Sequence, residues 1–220
     1  MQLAQAHHAL GVQASVLALR AYVANAHDND HARGETLHRQ ALTVWEQLGN
    51  EHAINGGIYN LAVCAGNARR YTEALLRLEA VCATAREHED WQQLSAALNL
   101  KGNVLAAMRD WPRALGAYRE CVDVAWAAAE AVDLAFGLWN APGTLARLRQ
   151  PEAAARLMAF AEHHWTTHFG ALGNADLHEM RRVRRLVDVQ LGRARSAELF
   201  SEGARLSLAD AVALVRSPPR

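Results

Sequence analysis

Tyr71-Thr72-Glu73-Ala74, Trp111-Pro112-Arg113-Ala114 and Pro151-Glu152-Ala153-Ala154 stand 40 residues apart, each an aromatic residue or proline followed three positions later by alanine. Seven residues beyond these alanines come Val81, Cys121 and Ala161, all compact and apolar, and one period back lie Gly34 and Ala41. A fixed period between about 20 and 50 residues is the signature of one supersecondary unit stacked on copies of itself.

Working outward, each of these segments is preceded by an apolar stretch in the same register: Leu17-Ala18-Leu19, Gly57 to Ala62, Ala97 to Gly102 and Gly137 to Pro142. Ala, Leu, Arg and Glu, strong helix formers, dominate both halves of the repeat, and no strand-like run of Val, Ile and Thr occurs. Each repeat therefore reads as a helical hairpin. The breakers fall where the turns belong, at Asp28 to Asp30, Gly66 to Arg69, Arg109-Asp110 and Arg149 to Pro151, with Pro151 in a first helical turn, where its missing N–H costs nothing. Between hairpins, Leu48 to Glu51 and Glu87 to Asp90 are matching joints one period apart. The pattern predicts helices over 11–27, 31–48, 52–66, 70–87, 91–108, 111–129, 131–148 and 151–169, then 175–191, 194–204 and 208–216.

Composition narrows the function classes. Half the residues are apolar (51%), about a fifth are charged (21%) and the net charge is zero, which describes a chain able to bury a sizeable core. Charge neutrality supplies no basic field of the kind nucleic-acid binding uses. No apolar run approaches the about 18–20 residues that cross a bilayer. The N-terminus lacks the charged start and apolar centre of a secretory signal, and three cysteines cannot all pair, so the reading is a cytoplasmic protein with reduced thiols.

Small residues at Ala62 and Gly102 and at Ala74, Ala114 and Ala154, with bulky Leu78, Tyr118 and Met158 four positions after the last three, resemble tetratricopeptide (TPR) helix–turn–helix repeats. Small residues there let the two helices of a hairpin cross closely. The resemblance implies an all-α, TPR-like right-handed superhelix of about four antiparallel hairpins, 1–170, plus C-terminal capping helices and a loose tail, 171–220. The period exceeds the standard of about 34. Pro142 and Tyr22 stand where a small residue is usual, and His38 where an aromatic is usual. The tail, with Pro151 to Leu157 followed at a distance by Leu206 to Leu214, is similar to the C-terminal end of bacterial regulators in which an output domain precedes a signal-transducing ATPase and a terminal TPR array, the MalT type. Met1 to Leu10 aligns by period with Ala41 to Asn50, as though the chain opened at the end of a second helix whose first helix is absent, a fragment of a longer array.

In a TPR array the first helices of successive hairpins line a concave groove. The period places Leu19, Tyr59, Asn99 and Trp139 at one level of it and Val23, Val63, Asn103 and Gly143 a turn further in, with Asn140 adjoining. Tyr and Trp combine apolar area with a polar handle and Asn both donates and accepts, a set suited to a peptide backbone or a small ligand. The competing reading has Tyr59 and Trp139 filling space between hairpins. A carboxylate clamp is not supported, because only Lys101 and Arg20 lie nearby.

The chemistry-bearing motifs are few. Lys101, the one lysine, sits mid-helix and not in a phosphate loop. His164 and His168, four apart with His163 beside them, share a helix face but lack an evident third ligand, so no metal is assigned. Cys64, Cys82 and Cys121 lie on apolar faces of three different helices and read as small buried hydrophobes. Arg181, Arg182, Arg184 and Arg185 form the main basic run, either a solvated face or a docking patch for an acidic surface of an upstream domain.

The expectation is thus a non-enzymatic binding domain without cofactor, taking a protein, a peptide or a small-molecule inducer in its groove, with no membrane and no direct nucleic-acid contact. By resemblance it is the sensing region of a larger transcriptional regulator, partnered by ATPase and output domains of the same polypeptide. The alternatives are a free-standing TPR adaptor and an enzyme with a histidine metal site.

Overall fold

The computed structural model describes residues 2–28 and 30–217, and among them are eleven helices and no strand. In chain order they are α1 (Gln2–Ala26), α2 (His31–Leu48), α3 (Glu51–Asn67), α4 (Tyr71–Glu87), α5 (Trp91–Ala107), α6 (Trp111–Ala127), α7 (Ala131–Arg147), α8 (Pro151–His168), α9 (Asn174–Leu191), α10 (Arg193–Gly203) and α11 (Leu208–Arg216). The protein is all-α. None of these helices is long and apolar enough to cross a membrane.

The 40-residue repeat has a local cause. Helices α3 to α7 each contain 17 residues and are separated by three-residue turns, so each half-repeat occupies 20. The turns are alike in detail. Arg69, Glu89, Arg109, Ala129 and Arg149 all adopt positive φ, between 52° and 64°. The residue after each returns its N–H to a carbonyl five back: Arg70 to Ala65, Asp90 to Ala85, Asp110 to Leu105, Glu130 to Ala125 and Gln150 to Leu145, at 2.8–3.0 Å. This is the Schellman stop, made five times without glycine. The same returning residue opens the next helix, and where it is Asp its side chain caps it: Asp90 accepts from Gln93 N and Asp110 from Arg113 N, as Asn50, which follows Gly49, accepts from Ala53 N.

The chain divides into two compact units, up to Gln93 and from Leu94 onward. In the first, α1 to α4 pack each on the next. The predicted break before residue 11 is absent: Gln2–Ala26 is one continuous helix, so Gln2 to Leu10 are not the end of a separate helix. No proline interrupts this segment and a single interior glycine, Gly11, costs only about 1 kcal/mol. The core includes the small residues that the period selected, Ala41, Ala62 and Ala74, together with Ala65, Ala85, Leu61, Leu78 and Val81. Tyr22, by contrast, is exposed, so no close crossing is made at that position.

In the second unit α6, α7 and α8 pack in sequence, α9 and α10 lie against α8, and α11 rests on α6, α7 and α8 together. The final segments were expected to close the open end of the array. α9 and α10 pack on α8, and α11 turns back as far as α6. Arg119 on α6 donates to the carbonyls of Val215 (2.7 Å) and Ser217, and Asp123 pairs with Arg216. A Cβ at Gly203 would overlap the backbone of Arg156, so α10 crosses α8 nearly backbone to backbone.

Candidate functional site

In the second unit a pocket of about 250 Å³ opens among α5, α6, α7, α8 and α9. Three of the groove residues expected from the period, Asn103, Trp139 and Asn140, line it, as does Gly143. Asn99 joins them indirectly, because Asn140 donates from Nδ2 to its Oδ1 at 2.9 Å. The Tyr118 phenol donates to Asn103 Oδ1 at 2.8 Å. That leaves the Nδ2 hydrogens as what the Asn103 side chain has to offer a ligand. Burial raises the Tyr118 pKa, so the phenol stays a neutral donor. The ring reaches this place because residue 102 is glycine; a Cβ there would overlap it.

The α7 wall carries Pro142 inside the helix. Proline has no N–H for the Leu138 carbonyl and its ring crowds that carbonyl, a local disruption of the helix at the pocket. Next to it Gly143 leaves room for Arg147: the guanidinium donates to Gly143 O at 2.7 Å, meets Glu179 Oε1 at 3.4 Å and lies with Cζ 4.9 Å from the Trp111 ring centroid. α9 supplies Asp176, Glu179, Met180 and Val183 to the opposite side.

Trp139 is half-buried and belongs to an aromatic row as well as to the pocket. Its ring centroid lies 5.7 Å from that of Trp165, which is 5.0 Å from both Phe136 and Phe169. The space-filling role and the pocket-facing role therefore coexist in one side chain.

The remaining expected groove residues lie in the first unit. Leu19 is exposed on α1 in a stripe with Val12, Val16 and Val23, beside Trp45 of α2. Tyr59 and Val63 are half-buried on α3. A second, polar cavity in this unit is a joint between helices: His52 Nδ1 pairs with Asp90 at 2.8 Å, and buried Asn55 donates to Gln93 at 2.8 Å and to Val81 O at 3.3 Å.

Of the four arginines on α9, none lines the pocket. Arg182 pairs with Glu179 at 3.1 Å, and Arg184 lies over the Phe200 ring at 4.4 Å. Cys64, Cys82 and Cys121 are buried and in no disulfide, and burial holds the Cys121 pKa up at about 12. The His164 and His168 rings are 4.5 Å apart, and no group of three or more metal-ligating side chains occurs among the described residues.

No family model matches this chain, and no curated protein is similar to it. The site is therefore argued from its residues. Sequence reading missed Trp111, Arg147, Asp176 and Glu179. The α9 pair had a signal: positions 176, 179, 180 and 183 follow helical spacing, so the two acids share the face of Met180 and Val183.

Proposed function

We propose that this protein is a non-enzymatic, TPR-like binding domain, the sensing region of a larger bacterial transcriptional regulator with an ATPase module. The observation that supports binding is the convergence of Trp139, Asn140 and Asn103 on one open pocket, a concave apolar site with few convergent polar groups. The regulator assignment rests on the likeness of the Pro151 to Leu157 and Leu206 to Leu214 segments to the ends of such proteins. An effector held at the pocket would contact α7 and α9 at once, and so favour one arrangement of those helices over another.

The test is a chromosomal Trp139→Ala, Asn103→Ala allele in the source organism, with helicity of the purified variant verified by circular dichroism. The reading expects the allele to reproduce the transcript changes of a deletion. An allele indistinguishable from wild type overturns the pocket assignment. An immunoblot of the native protein decides between regulator and adaptor: a band well above the mass of 220 residues favours the former, and one at that mass favours a free-standing adaptor.

A further inference from the structure

Resting on the reading of this pocket as a ligand site, we propose that it takes a small organic cation with a flat apolar body, such as an aromatic amidinium. The charges on its walls are one guanidinium, Arg147, and two carboxylates, Asp176 and Glu179. Arg147 is already committed to Gly143 O, Glu179 and the face of Trp111. Glu179 divides itself between Arg147 and Arg182. Asp176 has no ion-pair partner among the described residues, and it is the carboxylate with charge left to give.

The half-buried Trp139 lines the same pocket, and the quadrupole of an indole attracts a cation over the ring face. Arg147 on Trp111 beside Glu179 is an internal example of the same chemistry: a planar cation on an indole, next to a carboxylate. An anionic ligand would meet Asp176 and Glu179 with the Arg147 guanidinium already spent. A volume of about 250 Å³ accommodates a single ring with its charged head.

Benzamidine, benzamide and benzoate share a ring and differ in charge, so titrating each into the full chain, followed by calorimetry and by the indole N–H resonances, isolates the charge term. Benzamidine is expected to bind about tenfold tighter than benzamide, to weaken with salt, and to shift the Trp111 and Trp139 signals. Asp176→Asn, an exposed substitution, should cut that preference several-fold. Equal binding of benzamidine and benzamide, or a preference for benzoate, overturns the cation assignment while leaving a ligand pocket in place. A preference undiminished by Asp176→Asn also overturns it. Binding of none of the three overturns it too, and the allele experiment above then decides separately whether the pocket binds anything.

Discussion

His38 stands where the later repeats carry Leu78, Tyr118 and Met158, and it is buried like Leu78 and Tyr118. Burial pushes its pKa below the usual 6.5, because the charged ring would lose its hydration. The unfolded chain then binds the proton more readily. Stability is fully present above pH 6.5 and is lost as the pH falls through the lower, folded value. His38→Leu, which copies the residue one period later, is expected to flatten that loss in denaturant titrations at pH 7.5 and 5.5. Part of the slope that remains belongs to His164, whose pKa is lowered in the same sense by burial and by His168 and His163. Gly102 makes the opposite demand, for absence of a side chain. Gly102→Ala should destabilise by about 1–3 kcal/mol in chemical unfolding, since the Tyr118 ring must leave Asn103 to make room.

Among the helices, the 20-residue half-repeat is enforced by turns whose central residue has positive φ without being glycine. An L side chain in that region costs about 1 kcal/mol, and here the cost is met five times in one chain. Ala129, at φ 57°, has no polar side chain to offset it. Ala129→Gly is expected to raise the melting temperature by removing the Cβ strain at a helix end that already makes its return bond, Glu130 N to Ala125 O at 2.8 Å. The caps act in the other direction. Asn50→Ala should cost about 1 kcal/mol, read as a lower denaturant midpoint, by stripping Ala53 N of its acceptor. Arg70, Glu130 and Gln150 occupy the same place without a side-chain cap, so their replacement by alanine should cost less.

For the molecule as a whole, the second unit is tied together by α11, which buries Ala211, Val212 and Val215 against helices from two successive hairpins. Truncation after Leu206 should lower the midpoint of that unit substantially, at about 1.5–3 kcal/mol for each buried valine removed. Asp123→Ala, which breaks only the half-exposed pair with Arg216, should cost under about 1 kcal/mol. Hydrogen exchange separates the two variants: truncation should deprotect α6 and α8, and the single substitution should leave them protected.

The amino-acid sequence by itself determined the helices and their spacing. The small residues at 62, 74, 102, 114 and 154 lie on faces that only close helix crossing can bury, and turn residues recur where those faces end. These are local and periodic properties, so one chain suffices to read them. The continuity of α1 across Gly11 was hidden because the period argued for a joint there, whereas local propensity governs whether a helix continues. Asn103, Trp139 and Asn140 were legible because the repeat puts them on one surface. Trp111, Arg147, Asp176 and Glu179 were not, because α9 lies outside the period and its docking on α7 and α8 is fixed by which apolar surface the array leaves open. A pocket formed by helices distant in sequence depends on how their faces pack, and only the tertiary structure decides that.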